Sequence, residues 1–339
     1  MAKKKIDVTH FQRKTRGYGN FSLEFIFNDV RERLKDRVCF TVRYVPEFSN
    51  GFYKRLINAI YTYKQRGQIN HITGDIHYIN LLLKRKTTIL TVLDCGFMIE
   101  KSFIKRKLFE YFWLKFPERK SQYITAISEA TKRDIIKYTG CSPDKIFVIP
   151  VAVPDIFIPA IKTFDATCPV LLQIGTAANK NLERLIYAIE PIPCQLVIVG
   201  KLSEHQVQLL NDCNIKYKNL FNISLEEMYA QYVKCDIVAF VSTFEGFGMP
   251  IIEANCVERP VITGNNSSMP EVGGNAACYV NPYSVEEIRT GIQKVIVDRE
   301  YRNSLIENGK VNRRRYSGEQ IANQYYELYR MVRGEEEKN

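Results

Sequence analysis

Along the whole chain, short runs rich in Val, Ile and Phe alternate with longer segments of helical period, and this alternation limits the fold more than any other feature. Parallel strands need a crossover long enough to hold a helix, so strand–helix–strand repetition predicts parallel sheets. In the first half, strands are predicted at Ile6–His10, Val38–Arg43, Gln68–Thr73, Thr87–Leu93, Tyr123–Ile127 and Ile146–Ile149. Helical patterns such as Phe21–Leu34 and Glu129–Tyr138 lie between them. From Val153 to Thr167 there are two prolines and no clear period, which reads as a linker. The alternation then resumes, with strands at Val170–Ile174, Gln195–Val199, Ile215–Lys218, Ile237–Val241, Pro260–Thr263 and Cys278–Val280. Helices are expected after Asn181, Ser203, Leu225, Pro250 and Ser284, and at Gly318–Arg333, where Ile321, Tyr325, Leu328 and Val332 form one stripe. The expected class is α/β, with two doubly wound, Rossmann-like domains and a cleft between them.

At 339 residues the chain is long enough for two buried cores. Its nine cysteines are scattered singly, which argues for a reducing compartment and buried thiols over a disulfide framework. The four isolated histidines suggest no zinc site. Met1–Lys5 has no apolar run behind it, so it does not read as a signal peptide, and no stretch of about 18 apolar residues is present to span a membrane. Charge is distributed unevenly. Residues 1–155 carry 29 Lys+Arg against 15 Asp+Glu, a net of +14, and the remainder carries 19 against 22, a net of −3. The first half therefore suits an anionic partner: a membrane surface, an acidic or diphosphate-bearing acceptor, or nucleic acid. A merely solvated basic surface accounts for the same numbers.

The segment Phe244-Glu-Gly-Phe-Gly-Met-Pro-Ile-Ile-Glu253 carries the most chemistry. It comes just after an apolar run, Asp236–Val241, with the composition of a buried strand. Gly246 and Gly248 suit a tight turn, and Pro250 suits the first turn of a helix, where no N–H is missed. Glu245 is thus expected on the loop above a strand's carboxyl end and Glu253 on the second helical turn. Open α/β sheets bind ligands there. Backbone N–H groups of the turn, at Gly246, Phe247, Gly248 and Met249, would face an anion such as a diphosphate.

This stretch resembles the Glu-x7-Glu signature of retaining glycosyltransferase family 4 (glycosyl transferases group 1). Glu258–Gly264 is similar to that family's next turn and strand, and Ser267–Glu271 and Val272–Ala276 to the segment beyond. Upstream, Ala126–Asp134 and Lys145–Pro154 resemble its inter-domain passage, and Gln173-Ile-Gly-Thr-Ala-Ala-Asn-Lys-Asn181 its diphosphate-binding loop. The resemblance covers about two thirds of the chain, from residue 120 onward. It implies the GT-B fold: an acceptor-side domain over 1–155, a nucleotide-sugar domain over 165–313, and a final helix over 314–333 crossing back to the first domain.

The resemblance implies that Glu245 sits at the donor sugar, that Glu253 accepts hydrogen bonds from the ribose hydroxyls, and that Lys180 neutralises the leaving diphosphate. Each also has a plain reading, as exposed glutamates near a helix start or a solvated loop lysine. The family often has a basic residue where this chain has Thr176, so the second diphosphate cation stays open between Arg16 and Lys201. The loop Lys14-Thr-Arg-Gly-Tyr-Gly-Asn20, with Gly17, looks like the glycine-containing loop facing the cleft, or an ordinary βα turn. His71, Asp75 and His77 bunch at the end of the third predicted strand, where they suit orientation of sugar or acceptor hydroxyls or service as a base. Asp75 equally suits a helix N-cap, and either histidine an interior position. Asp94 lies where the family often has His-Asp. Leu93 stands in the histidine's place, which moves suspicion to His71 or His77. Phe103–Phe116 mixes basic residues with the only tryptophan, as an interfacial helix does, or a core helix with a basic outer face. The chain has no Asp-x-Asp, in keeping with a site that needs no metal and no cofactor.

The reading is a nucleotide-sugar-dependent hexosyltransferase using a UDP- or GDP-sugar. The acceptor would be a carbohydrate, such as a lipid-linked glycan in cell-surface polysaccharide or lipopolysaccharide synthesis. The protein would be cytoplasmic and peripheral at the inner face of an anionic membrane. Its rivals are another GT-B enzyme, an epimerase or phosphorylase, and a basic nucleic-acid-binding protein. The last would need aromatic platforms or a recognised module, which the sequence lacks, so no nucleic-acid partner is expected.

Overall fold

The computed structural model of the chain describes residues 5–14, 22–98 and 103–334. They form two compact units. One runs to Ala152 and takes in the chain again from Gly318, and the other runs from Val153 to Ser317.

The first unit holds strands β1 (Ile6–Gln12), β2 (Val38–Tyr44), β3 (Ile69–Ile72), β4 (Thr88–Val92), β5 (Tyr123–Ala126) and β6 (Ile146–Val148). They pair in parallel in the order β2-β1-β3-β4-β5-β6. A parallel sheet is covered on both faces, which is why β3 and β4 are buried at every position. The helix Glu129–Thr139 starts where the Ser128 hydroxyl accepts the Thr131 N–H and stops at Gly140, whose φ of 73° only glycine adopts cheaply. The helix Gly318–Arg333 buries Ile321, Tyr325 and Leu328 against the helix Ser22–Leu34 and β1, and Val332 stays half-exposed. Residues 103–119 are helical throughout, with a wider π turn over Glu110–Lys115. Leu114 points into the core from this stretch, and Leu108, Tyr111 and Phe112 are exposed.

The second unit holds β7 (Val170–Ile174), β8 (Gln195–Val199), β9 (Tyr217–Leu220), β10 (Ile237–Phe240), β11 (Val261–Gly264) and β12 (Cys278–Val280). All are parallel, in the order β12-β11-β10-β7-β8-β9. The chain lays down β7, adds β8 and β9 on one side, then crosses to the other side for β10. The reversal falls between β7 and β10, the place where doubly wound sheets open a crevice at the strands' carboxyl ends. The strand expected at Ile215–Lys218 begins two residues later. Asn214 turns at φ 48° and the Ile215 N–H goes back to Leu210 O, so Ile215 finishes the preceding helix.

The aperiodic stretch from Val153 is pinned by two buried charged groups. Asp236 accepts the N–H groups of Asp165 and Val170 and the Lys162 ammonium at 2.5 Å. The Arg259 guanidinium donates to the carbonyls of Ala160, Val233, Cys235 and Val257. All nine cysteines are unpaired; Cys95, Cys235 and Cys278 are buried, whereas Cys39, in β2, is exposed instead of interior. Among the described residues no helix is long and apolar enough to cross a membrane.

Candidate functional site

In the second unit, three loops meet above the carboxyl ends of β7, β10 and β11. The loop after β7 turns at Gly175, with φ 86°, and the stem of Lys180 folds over it. A Cβ at Gly175 would lie 2.8 Å from Lys180 Cγ, so both backbone angle and space demand glycine. Lys180 Nζ reaches Glu245 Oε1 at 2.6 Å, with the two side chains 24% and 13% exposed. Its ammonium also stands 5.2 Å from the centre of the Phe240 ring. Glu245 is held from behind by the loop after β11. Its N–H donates to Ser267 Oγ at 3.3 Å, and its carbonyl accepts from the hydroxyls of Ser267 at 2.5 Å and Ser268 at 3.0 Å. Asn179 ties the first loop to the second. Its amide donates to Phe244 O at 3.0 Å, and its carbonyl accepts the Thr243 N–H at 2.8 Å. The pair is thus preorganised, with neither partner free to swing away from the strand ends.

Gly246, Phe247, Gly248 and Met249 form the turn into the helix Met249–Val257. Gly248, at φ 114°, opens that helix and a proline stands in its first turn. On its second turn the half-buried Glu253 accepts a hydrogen bond from the fully buried Tyr232 hydroxyl. Burial pushes the Glu253 carboxyl up to about 7, against the downward pull of the Tyr232 hydrogen bond and the Lys180 charge. Burial, reinforced by Glu253, drives the Tyr232 phenol far above its ordinary range. A carboxyl that changes charge near neutrality therefore lies beside the Lys180–Glu245 pair.

Thr176 is committed to the scaffold. Its hydroxyl donates to Lys201 O at 2.6 Å and its carbonyl accepts from Gln206 at 2.9 Å. The Lys201 side chain is exposed at the same end of the sheet, past β8. Arg16 and Gly17 lie outside the described residues. Among the described residues no group of three His, Cys, Asp or Glu is placed to hold a metal ion.

The first unit corrects several expectations. His71 sits within β3, opposite His10 of β1, and is fully buried. Its Nδ1 pairs with the Tyr329 hydroxyl at 2.9 Å and its Nε2 with the Thr91 hydroxyl at 2.8 Å. Tyr329 also meets His10 Nε2 at 3.0 Å. Burial lowers the His71 pKa to about 3, so this ring is a neutral interior group and not a base facing substrate. His77 is interior as well, with Nδ1 on Trp113 O at 2.8 Å and its pKa lowered by burial. Asp75 caps no helix: the short 3-10 turn His77–Leu82 starts after Ile76 without a side-chain cap. Its carboxylate is exposed and lies 3.6 Å from Arg13 across a concavity of about 290 Å³, whose wall includes Phe48, Arg55 and Trp113. Asp94, just past β4, accepts the Gly96 N–H at 2.8 Å and stays half-exposed.

Sequence reasoning passed over Asn179, Tyr232, Ser267 and Ser268 as site residues. Asn179 and the two serines lay in segments already singled out, and hydroxyls and amides past strand ends are the usual crosslinks of such loops. Tyr232 gave no signal, since an aromatic on a helical stripe reads as core.

Residues 156–312 match the family model described as glycosyl transferases group 1. The serotype-specific mannosyltransferase WbdA of Escherichia coli is 26% identical over 221 residues, 58% of this chain and 27% of its own length. The O-antigen chain mannosyltransferase RfbU of Salmonella typhimurium is 28% identical over 228 residues, 65% of this chain and 63% of its own. The chain thus spans about a quarter of the length of the first of these relatives and under two thirds of the second. Among solved structures, Anabaena Alr3699/HepE in complex with UDP and glucose superposes with a TM-score of 0.78 at 15% identity, covering 95% of this chain and 99% of the other. That likeness establishes the fold as GT-B. The segment matched by the glycosyl transferases group 1 model fills almost all of the second unit, Val153–Ser317.

Proposed function

We propose that this chain is a retaining glycosyltransferase. It moves a hexosyl group from a UDP- or GDP-sugar to a hydroxyl of a carbohydrate acceptor, a lipid-linked glycan of a cell-surface polysaccharide, at the cytoplasmic face of a membrane. The observation that carries the reading is the Lys180–Glu245 pair, 2.6 Å apart at the reversal of the second sheet. Departure of a nucleoside diphosphate builds negative charge, and a fixed ammonium beside a helix N-terminus meets that charge without a metal. Glu245, brought to the same point, faces the sugar, where a carboxylate stabilises developing positive charge or holds hydroxyls. Glu253, once ionised, accepts the ribose hydroxyls. Relatives named as mannosyltransferases make mannose the first sugar to try.

Thermal-shift titration against UDP- and GDP-sugars, in EDTA, tests the donor assignment, because a bound donor raises the melting temperature by mass action. Transfer to glycan acceptors under the same conditions tests the rest. A shift only when magnesium is restored would defeat the metal-free reading. The absence of any shift across both nucleotide series would defeat the donor assignment.

A further inference from the structure

The helix Phe52–Lys64 faces the wrong way for a globular protein. Its buried residues are Asn58, Ala59 and Thr62, and its large apolar residues look outward. Phe52 is 73% exposed and Tyr53 80%; Leu56, Ile57, Ile60 and Tyr63 are exposed beside them. Positions 52, 56, 60 and 63, with 53 and 57, recur at helical spacing and form one stripe. A surface helix normally puts such a stripe into the core. Here the inward face is fixed by polar bonds instead. Asn58 donates to Glu47 O and to the Tyr78 hydroxyl, both at 2.9 Å, and the Thr62 hydroxyl returns to Asn58 O at 2.8 Å. The stripe is outward by construction, and large exposed apolar patches mark interaction sites.

Two further elements extend it. Tyr78, bonded to Asn58, packs its ring 5.2 Å from that of Trp113 at a tilt of 50°, and His77 binds Trp113 O, so the 77–82 turn ties the helix to the 103–119 stretch. Leu81 and Leu82 from the turn, and Leu108, Tyr111 and Phe112 from the stretch, are exposed as well. The charge around these residues selects the partner. Residues 52–66, 77–87 and 106–115 hold ten Lys and Arg and a single acid, Glu110. Glu110 is buried and paired with Lys115 and Lys107; at the rim Glu47 lies 3.7 Å from Lys54 and the exposed Asp75 3.6 Å from Arg13, so among the described residues each of these carboxylates stands beside a cation and basic groups predominate.

We propose that the outward face of Phe52–Lys64, continued by the 77–82 turn and residues 106–115, is an interfacial docking surface for an anionic lipid bilayer. The helix would lie in the headgroup plane with its aromatic and aliphatic side chains inserted and the lysines and arginines on lipid phosphates. A second copy of this chain fits poorly, since pairing the surface with itself sets one predominantly basic face against another. The inference gives the proposed lipid-linked acceptor a physical setting and rests on that reading only for its purpose. Lipid binding is measurable with neither donor nor acceptor present.

The test is co-sedimentation of the whole protein with vesicles of phosphatidylcholine alone and of phosphatidylcholine with phosphatidylglycerol. Emission of Trp113, the sole tryptophan, is a second readout, because it borders the surface. Wild type should sediment with anionic vesicles and shift its emission to the blue. Tyr53→Ser with Leu56→Ser and Ile57→Ser should cut partitioning by at least about ten-fold at any salt concentration. Lys54→Ser with Lys64→Ser and Arg66→Ser should cut it on the order of 100-fold at low salt and little at high salt. All six side chains point away from the core, and an unchanged circular dichroism spectrum and melting temperature confirm folding. Equal sedimentation of wild type and the apolar triple variant would overturn the proposal, as would equal binding to neutral and anionic vesicles. A lipid-indifferent wild type that dimerises through these residues would assign the surface to a second copy instead. Unaltered transfer to a soluble acceptor by a variant that no longer binds vesicles would separate this proposal from that of the enzymatic function.

Discussion

Each unit gathers polar side chains about its sheet, and the two gatherings differ in kind. In the second unit, Lys180 and Glu245 stand beyond the strand ends, partly open to solvent and backed by hydroxyl and amide bonds to three loops. In the first unit, His10 and His71 sit within neighbouring strands, fully buried, and are joined through Tyr329 of the last helix. The residue types look equally catalytic. Position along the strand separates them: a polar group past the carboxyl end meets ligand, and one in mid-strand must find partners inside the protein. The first cluster is therefore read as chemistry and the second as a latch for the final helix.

The sharpest way to break this comparison is to exchange the expected losses. Lys180→Ala should lower turnover by about 100-fold or more, since it removes a fixed charge from the developing diphosphate, and should barely change the melting temperature. A large loss of stability with turnover intact would place the pair among structural contacts.

Glu253→Gln should weaken binding of the free nucleotide, measured by calorimetry, by roughly 1.5–3 kcal/mol at pH 8. The pH profile sharpens the point. With its carboxyl raised to about 7, wild type should bind nucleotide more tightly as pH climbs from 6 to 8, because the acceptor form is the ionised one. Tyr232→Phe removes a hydrogen bond that lowers that pKa, so the rise should move to higher pH. A flat wild-type profile contradicts the ribose assignment.

On the other side of the comparison, Tyr329→Phe strips both histidines of a partner. It should cost about 1–3 kcal/mol of stability by urea titration, with the rate at saturating substrate preserved. The linkage has a definite sign. His71 falls from 6.5 in the unfolded chain to about 3 when folded, so the unfolded state binds more protons between those values. Its contribution to stability is complete above pH 6.5 and drains away as pH falls toward 3. Loss of turnover without loss of stability in this variant would make the latch a functional site.

The smallest effect should come from Asp94→Asn. Its Oδ1 still accepts the Gly96 N–H, so stability should move by no more than about 0.5 kcal/mol in thermal melts. A marked rise in the KM for acceptor, against an unchanged value for donor, would restore Asp94 to the acceptor site.

Much of this was legible in the residues. All twelve strands overlap their predicted runs, since an all-parallel sheet writes itself as short apolar runs; β9 is displaced by two residues and β11 by one. Glu245, Glu253 and Lys180 were visible because glycine and proline punctuate the loops that carry them. The helix Phe52–Lys64, not singled out from the sequence, runs against the same rules. Its apolar stripe reads as a core face, and only the Asn58 and Thr62 bonds show which side is in.

Local pattern reaches as far as a turn of helix or a run of strand, and within that range the chain declares its elements, their parallel pairing and the loops fit for an anion. Contacts across long separations obey another logic. Lys180 meets Glu245 across 65 residues because the sheet reverses between β7 and β10, and His71 is closed off by a tyrosine 258 residues later. Neither meeting leaves a periodic trace. Each depends on which strands become neighbours and where the last helix docks, and burial then decides whether a side chain works on a ligand or on the fold.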